Sequence, residues 1–382
     1  MMKIAFVSVE DPADRHAWSG TITGMFDALK DAGADVSVFT GLSASRSTRL
    51  RTGFLKLIIK KVWKTTYYRV RHPRHVLDLA RQIERRLKGE KFDFIFAPSS
   101  IPVSELDVDT PIAFWTDATF DGMIDFYPGF DTLSKIGRQH GRAQEQRAIS
   151  RATLAVYASD WAAGTALEHY VVDPQKVHVI GLGANLPAPP APLDLQARMS
   201  GKPILLHIGI DWTRKGGDKA VAATQSLRDR GIDAELHIVG TTPPHPLPDW
   251  VVLHGFLSKK DPGQWQELSS LLASSRFLIV PTVAECFGVV FVEAAAFGLP
   301  SIGTRVGGVT SAIEEDVTGF LMAPDATGAD YADKLEPYFR SQDEYDRLCE
   351  SALAAYEERL AWKNRGRELL ALMEKSLGRS ST

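Results

Sequence analysis

The 382-residue sequence lacks most of the features that mark secreted or membrane-spanning proteins. Its two cysteines, Cys286 and Cys349, are too few for a disulfide framework or a zinc cluster, and such scarcity is typical of a reducing compartment. No stretch approaches the roughly 20 apolar residues that a transmembrane helix needs. The first residues, MMKIAFVSVE, enter an apolar run directly and lack the cleavage site of a signal peptide. We therefore expect a cytoplasmic protein.

A strong charge of either sign is also missing. The formal net charge is −3 at pH 7, from 44 basic and 47 acidic residues, and it points to no particular partner. Hydrophobic residues make up 44% and charged residues 24% of the chain, as in folded globular proteins. Because the length exceeds what one ordinary core accommodates, we expect two domains.

Apolar runs alternate with helical patterns twice along the chain. The first series contains KIAFVSV, DVSVFTG, FDFIFAP, PIAFWTD and LAVYAS, and the second contains PILLHIGI, AELHIVG, VVLHGF, RFLIVPT and PSIGTRVGG. Continuous hydrophobic strands that alternate with helices are typical of parallel sheets covered on both faces. The pattern predicts two doubly wound α/β domains, which bind ligands outside the carboxyl ends of their strands.

The expected boundary between these domains is the stretch LGANLPAPPAPLDLQARMSGKP, whose clustered prolines disfavour helix and strand. We expect a first domain at residues 1–184 and a second at 185–360. Residues 361–382 belong to a strongly helical segment, which either caps the second domain or crosses back to the first.

The stretch ECFGVVFVEAAAFGLP places a glutamate inside an almost wholly apolar helix. From about Gly288 the sequence lacks polar periodicity, which predicts a buried helix. On that helix Glu293 has only apolar neighbours three and four positions away. A buried carboxylate without partners costs roughly several kcal/mol. We therefore expect a partner or a ligand for Glu293.

Backbone amides precede this helix at Phe287, Gly288 and Val289, and Glu285 follows the preceding strand. The first amides of a helix, together with its dipole, form an anion-binding site, and a glycine lets a ligand approach the backbone closely. Two carboxylates that flank such amides suit a ligand with both hydroxyl groups and phosphates. A nucleotide sugar is such a ligand.

Two other strand-to-helix turns carry weaker anion-binding signals. In IGIDWTRKGGDKA, Arg214 and Lys215 precede two glycines and are well placed to neutralise a diphosphate. The alternative for this turn is a solvated loop with surface charges. In WSGT, the small residues around Gly20 form a turn after the first strand.

ECFGVVFVEAAAFGLP, continued by GTRVGGVTSAIEEDVTGFL, resembles the E-x7-E signature of retaining, nucleotide-sugar-dependent glycosyltransferases of family four. WSGT, ASDWAAGTALEHYVVDPQKVHVIGLGAN and RKGG occur in the family's order, so the resemblance covers nearly the whole chain. It implies the GT-B fold, an α/β architecture with two Rossmann-like, doubly wound domains that face a central cleft. The first domain would bind the acceptor and the second the nucleotide sugar.

The resemblance also implies roles for the signature residues. Glu293 would bind the nucleotide ribose, and Glu285 would lie beside the donor hexose. The amides of Phe287, Gly288 and Val289 would hold the donor sugar and phosphate.

Further roles fall on other turns. Arg214 and Lys215 would stabilise the departing diphosphate, which Gly20 would approach from the first domain. The backbone at Gly255 and Phe256 would receive the base. The scheme includes no metal and no cofactor apart from the donor.

The chain departs from the family pattern at two positions. Many members carry an arginine directly after the glycine of the strand that reads IGI here, where this chain has Ile210. The diphosphate role therefore rests on Arg214. Many members also have a histidine in the N-domain loop that faces the donor sugar. In the corresponding stretch PIAFWTDATF the closest polar residue is Asp117, which becomes the candidate catalytic residue of that loop.

These observations predict a retaining glycosyltransferase that transfers a hexose from a donor of the GDP-mannose or UDP-glucose type to a hydroxyl acceptor, such as a lipid-linked or polysaccharide intermediate. The alternatives are a nucleotide-sugar epimerase on the same scaffold and a catalytically silent binding protein. Asp107 and Asp109 match the D-x-D motif of another glycosyltransferase fold, but so short a match is common by chance. The glycine-rich stretches GLGAN and GTRVGG do not complete G-x-G-x-x-G, which disfavours a nicotinamide cofactor.

The segment from Arg46 to Arg74 carries ten basic residues and no acidic one. Apolar side chains such as Phe54 and Trp63 are interleaved with them, and a basic amphipathic stretch of this kind can lie on an anionic membrane surface. The alternative is a helix of the first domain that packs its apolar face inward and solvates its lysines. Nucleic-acid binding is disfavoured because no recognition fold accompanies the charge.

Overall fold

The structure, a computed structural model, describes residues 1–14 and 17–379 and divides into two compact units. The first unit comprises Met1–Gly181 and Trp362–Thr382, and the second comprises Leu182–Ala361. The borders expected from the sequence, after residues 184 and 360, fall close to these. Within the described residues, no helix is long and apolar enough to cross a bilayer.

A six-stranded, wholly parallel sheet forms the centre of the first unit. Its strands are β1 (Lys3–Val7), β2 (Asp35–Phe39), β3 (Phe94–Ala97), β4 (Ile112–Thr116), β5 (Leu154–Tyr157) and β6 (Val177–Val179). They lie in the order β2-β1-β3-β4-β5-β6. Every residue of β3, β4 and β5 is buried, as expected for central strands of a sheet covered on both faces.

Helices connect these strands in the alternation that the sequence predicted. They are α1 (Thr21–Asp31), α2 (Arg46–Ile58), α3 (Pro73–Leu87), α4 (Phe120–Met123), α5 (Lys135–Arg151) and α6 (Asp160–His169). A parallel pair of strands needs such a crossover, because its connection must return along the whole length of the sheet.

The second unit contains another six-stranded parallel sheet. Its strands are β7 (Ile204–Ile208), β8 (Glu235–Val239), β9 (Val251–Gly255), β10 (Phe277–Val280), β11 (Ser301–Thr304) and β12 (Gly319–Met322). The order β12-β11-β10-β7-β8-β9 means that the chain leaves β7 in one direction and resumes on its other side at β10. Ligands of such sheets bind where the strand order reverses, outside the carboxyl ends of β7 and β10.

The helices of the second unit follow the same alternation, with one addition. They are α7 (Leu195–Met199), α8 (Trp212–Lys215), α9 (Gly217–Asp229), α10 (Pro262–Ser274), α11 (Val289–Ala296), α12 (Val309–Ala312), α13 (Gly328–Arg340) and α14 (Gln342–Ala355). The short helix α7 lies in the proline-rich stretch where neither helix nor strand was expected. It begins after the prolines, and Asp194 caps it by accepting a hydrogen bond from the amide of Ala197 at 2.9 Å.

The last helix, α15 (Trp362–Ser376), belongs to the first unit and packs on α1. The ring of Trp362 meets that of Trp115 edge to face, with centroids 5.6 Å apart. Gly366 lies so close to the carbonyl of Ala28 that any side chain there would collide with it. Of the two courses that the sequence left open for this segment, the chain takes the one back to the first unit.

Candidate functional site

Side chains that follow β7 and β10 meet where the strand order of the second sheet reverses. The Nη1 of Arg214 donates a hydrogen bond to Glu285 Oε2 at 3.2 Å, and the ammonium of Lys215 donates to the same oxygen. The three side chains are only 10–12% exposed. Two stretches that the sequence analysis treated separately therefore form one cluster.

The local fold of α8 explains why Arg214 faces inward. The hydroxyl of Thr282 donates to the carbonyl of Arg214 at 2.9 Å, and Nη1 of Arg214 donates to the carbonyl of Ala284 at 3.0 Å. The helix ends at Gly216, which has a φ of +73° and lies against the carbonyl of Pro281, where a side chain would collide. Burial and these bonds rule out the solvated-turn alternative for Arg214 and Lys215.

The charges of the cluster are unequal. Arg214 and Lys215 each carry one positive charge and Glu285 carries one negative charge, so the three sum to +1. Removing one member of a buried ion pair is costly because the remaining charge stays desolvated. Two cations at the carboxyl edge of a parallel sheet are suited to bind an anionic ligand.

The buried helix expected from Gly288 onward is present as α11. Gly288 is its N-cap, with a φ of +91°, and a Cβ there would lie 2.7 Å from the ring of Phe291 and 3.3 Å from Cγ of Glu285. The first amides of a helix have no partner within it, and the dipole adds positive potential at this end. Gly288 lies between Phe287, which is buried, and Val289, the first residue of α11. The amides expected to hold phosphate thus begin next to Glu285.

A glycine loop after β11 supports the same backbone. The amide of Gly308 donates to the carbonyl of Glu285 at 3.0 Å. A side chain at Gly308 would collide with the carbonyl of Cys286. In the sequence, GTRVGG resembles only an incomplete dinucleotide loop. Its supporting role was not predicted, because nothing local in the sequence indicates which backbone the glycines approach.

The partner expected for Glu293 is Lys259. Glu293 is 7% exposed, and its Oε1 accepts a hydrogen bond from the ammonium of Lys259. That ammonium also donates to the carbonyl of Asn185 at 3.0 Å. Burial raises the pKa of Tyr356, and the negative charge of Glu293 adds a smaller increase. Lys259 was not predicted as this partner from the sequence. Its only sequence signal is that it is the first of two consecutive lysines after β9.

The residues expected to receive a nucleotide base stand at the end of β9. Gly255 ends the strand with a φ of +68°, and its carbonyl accepts from the amide of Gly240 at 2.7 Å. Phe256, which follows, is 66% exposed. The amide of Gly209, after β7, donates to the carbonyl of Val239 at 3.0 Å. Glycines therefore line the carboxyl ends of β7, β8 and β9, where a ligand can approach the backbone.

Two candidate residues lie at the corresponding edge of the first sheet. Gly20 is the N-cap of α1 with a φ of +91°, and Trp18 and Ser19 before it also have positive φ values, +47° and +55°. Non-glycine residues in this region carry about 1–3 kcal/mol of strain each, and such strain is concentrated at functional sites. Asp117 is half-buried directly after β4.

The alternative of a helix that packs inward holds for part of the basic segment, because Ile59 is buried and Leu55 and Ile58 are half-buried. The face of α2 that is buried carries Thr48 and Thr52. The large apolar side chains exposed along α2 and the π-helical turn that follows it are Leu50 (75%), Phe54 (68%), Leu57 (54%), Val62 (65%) and Trp63 (60%). Near the end of the segment, Arg71 is instead anchored in the interior, 2.7 Å from the buried carboxylate of Glu145.

Comparison with known proteins agrees with this architecture. Residues 21–186 match the model for Glycosyltransferase Family 4, and residues 202–340 match that for Glycosyl transferases group 1. A curated relative, the D-inositol 3-phosphate glycosyltransferase of Corynebacterium aurimucosum, is 28% identical over 218 residues, 51% of this chain and 50% of the relative. The chain thus matches about half the length of such curated relatives.

Two solved structures cover nearly the whole chain. Sucrose-phosphate synthase from Thermosynechococcus elongatus aligns with a TM-score of 0.70 at 15% identity, over 99% of this chain and 100% of that one. HepE from Anabaena, solved in complex with UDP and glucose, aligns with a TM-score of 0.64 at 15% identity, over 98% and 100%. At such identities the likeness shows the fold, which is GT-B. On its fold and its two family matches, this chain belongs to the group 1 glycosyltransferases.

Proposed function

We propose that the protein is a retaining glycosyltransferase that transfers a hexose from a nucleotide diphosphate sugar to a hydroxyl acceptor. The observation that carries the proposal is the cluster of Arg214, Lys215 and Glu285 beside the first amides of α11. Family membership supports it, as does the UDP bound to the structural neighbour HepE. The donor is of the UDP-glucose or GDP-mannose type.

Each part of the cluster has a role in this reaction. Arg214 and Lys215, with the amides at Gly288, stabilise the negative charge that develops on the departing diphosphate. Donors already in place for that charge lower the barrier, because little reorganisation is needed when it appears. Glu285 lies beside the hexose, and Glu293 accepts hydrogen bonds from the ribose hydroxyls. These two cations and the amides supply the positive charge, and the proposal includes no metal or cofactor.

The test is a donor screen with the purified protein. UDP-glucose and GDP-mannose are each incubated with the protein, with and without candidate hydroxyl acceptors, and the released nucleoside diphosphate is measured. Release that an acceptor accelerates, with a product whose NMR coupling shows the donor's anomeric configuration, supports the proposal. Conversion of the donor to its epimer without transfer, or no binding of either donor, contradicts it.

We further propose that the acceptor is met at an anionic membrane surface on the cytoplasmic side. The exposed apolar side chains of α2 and the π-helical turn that follows it, among them Phe54 and Trp63, lie within the basic segment from Arg46 to Arg74. Each basic residue near an anionic surface contributes about 1 kcal/mol of attraction, and inserted apolar side chains add to it. Such contact suits a lipid-linked acceptor.

Flotation with vesicles tests this second proposal. The protein is expected to float with phosphatidylglycerol vesicles at low salt and to be released by salt, which screens exposed charges. It is not expected to float with phosphatidylcholine vesicles. No binding to the anionic vesicles at low salt would remove the membrane from the proposal.

A further inference from the structure

Lys259 joins three segments of the second unit. Its ammonium donates to Oε1 of Glu293 on α11 and, at 3.0 Å, to the carbonyl of Asn185 in the segment before α7. Lys259 itself stands in the loop after β9, shortly beyond Gly255 and Phe256. The loop expected to receive the base is therefore tied directly to the carboxylate expected to bind the ribose.

The loop that carries Lys259 is anchored on both sides. Leu257 is buried, and the amide of Ser258 donates to Oε1 of Gln264 on α10 at 2.7 Å. Asp261 caps α10 by accepting from the amide of Gln264 at 2.9 Å. A lysine side chain is flexible, but here the backbone at its base is held in place. The ammonium is thus kept against Glu293 by the loop as well as by the ion pair.

Glu293 depends on its contact with Lys259 because the residues around it on the helix are apolar. Its helical neighbours are apolar, so an ionised carboxylate at this position needs a cation or hydrogen-bond donors to offset desolvation. A carboxylate has about four lone-pair positions, so one ammonium on Oε1 leaves acceptor capacity for two hydroxyl groups. Lys259 is 29% exposed at its side chain, whereas Glu293 is 9% exposed, which places the carboxylate on the interior side of the pair.

We propose that Lys259 is a positioning residue that keeps the carboxylate of Glu293 oriented to accept hydrogen bonds from the ribose hydroxyls of the donor. This inference rests on the proposed function. It adds a specificity-determining residue to the nucleotide site. It predicts that Lys259 strengthens nucleotide binding only when the nucleotide carries its ribose hydroxyls. A lysine that contacted the diphosphate directly would contribute equally to the affinity for nucleotides with and without ribose hydroxyls.

The test compares two probes, UDP and 2′,3′-dideoxyuridine diphosphate, or the corresponding guanosine pair if the donor screen selects GDP. Calorimetry gives the Kd of each probe for the wild type, Lys259→Met, Glu293→Gln and the double variant. Lys260→Met is the matched control, since Lys260 is the exposed neighbour in the same loop. Lys259→Arg retains the positive charge and is expected to recover part of the affinity.

Lys259→Met is expected to weaken UDP binding about tenfold, the size of one lost charge-assisted hydrogen bond, and to leave the dideoxy probe within about twofold. Glu293→Gln should show the same dependence on the probe, and the double variant should lose little more than either single one. Equal weakening of both probes by Lys259→Met, or no weakening of either, would overturn the inference.

The design separates this inference from the proposed function. If the folded wild type binds neither diphosphate, the proposed function fails. If the wild type binds the diphosphate, and Glu293→Gln but not Lys259→Met weakens UDP binding more than binding of the dideoxy probe, the nucleotide site is supported. The proposed role of Lys259 is then wrong. Thermal melting of each variant shows whether it is folded before its Kd is compared.

Discussion

Glu285 and Lys215 form an ion pair at the carboxyl edge of the second sheet, although 70 positions separate them in the sequence. Arg214 binds the same carboxylate oxygen at 3.2 Å. The pair joins the turn after β7 to the turn after β10, the two strands at which the strand order reverses. This carboxylate is thus the counter-ion of the cations expected to hold a diphosphate.

Removal of either cation should reduce turnover strongly. We expect Arg214→Met and Lys215→Met each to lower kcat by about 100-fold or more, the loss measured when one donor to a developing oxyanion is removed. The Kd of the nucleoside diphosphate should rise as well. Steady-state kinetics and calorimetry give both values. Lys202→Met, at the amino end of β7 and 58% exposed, is the control, and equal losses there would contradict the assignment.

Glu285→Gln should destabilise the ligand-free protein and make it respond more strongly to pyrophosphate. Breaking a fully buried pair costs about 3–5 kcal/mol; with side chains 10–12% exposed we expect about 2 kcal/mol. For a unit of this size the loss corresponds to a decrease in Tm of about 6 °C. Pyrophosphate should restore stability because it replaces the missing negative charge.

Thermal-shift measurements with and without pyrophosphate check this expectation. The matched control is Glu315→Gln, which removes a surface pair with Arg305 at 2.9 Å and should change the Tm little. If pyrophosphate stabilises wild type and Glu285→Gln to the same extent, Glu285 is not the counter-ion of the anion site.

Asp117 is expected to act on turnover and not on nucleotide affinity. Asp117→Ala should lower kcat at least about tenfold, at the low end of what a positioned acid or base contributes, while the Kd of the nucleoside diphosphate stays unchanged. Asp109→Ala, an exposed position in the D-x-D match, is the control. A loss below tenfold for Asp117→Ala would remove Asp117 from the catalytic residues.

His207, in β7 beneath this cluster, should make stability depend on pH. Burial lowers its pKa from 6.5 to about 4, against the opposing effect of its hydrogen bond to Ile279. The native protein therefore binds this proton only near pH 4, whereas the unfolded chain binds it near 6.5. Stability from the neutral imidazole is complete above pH 6.5 and decreases towards pH 4, by up to about 1.4 kcal/mol per pH unit.

The matched variant is His207→Asn. The Nδ1 of His207 donates to the carbonyl of Ile279 at 2.8 Å, and an asparagine amide can make the same bond without titrating. Urea unfolding between pH 7 and 4.5 should show a smaller decrease in the free energy of unfolding for this variant. Identical slopes for wild type and His207→Asn would refute the prediction.

Membrane binding should depend on the exposed apolar side chains of α2 and its π-helical turn. Phe54→Ser with Trp63→Ser is expected to weaken binding to phosphatidylglycerol vesicles at least about tenfold, because insertion of both side chains is lost. Val171→Ser, in the loop after α6 and 85% exposed, should have no effect. If the double variant floats as well as the wild type, the apolar side chains take no part in membrane contact.

Several structural features were predictable because their signals are local. The continuous apolar runs identified five of the six strands of each sheet, without β6 and β12, and Gly288 marked the start of α11. The position of Glu285 and Glu293, eight residues apart around a helix start, indicated an anion site with two carboxylates. Each of these signals depends on residues within about ten positions of one another, where spacing alone determines which side chains share a face.

Other features required the tertiary structure. The sequence favoured neither an inward nor an outward apolar face for α2, and the structure shows the threonine face buried. It also could not show whether Arg214 and Lys215 lie on a solvated turn, because their burial results from contacts with the turn after β10.

Local patterns in the chain were enough to predict the alternation of strands and helices, the chemistry available at each turn, and the need of Glu293 for a partner. That this partner is Lys259, 34 positions away, and that Lys215 faces Glu285 follows from the folded structure alone. The reason is physical: periodicity records which residues share one face of one element, whereas contacts across a parallel sheet are set by strand order, which leaves no local pattern in the chain.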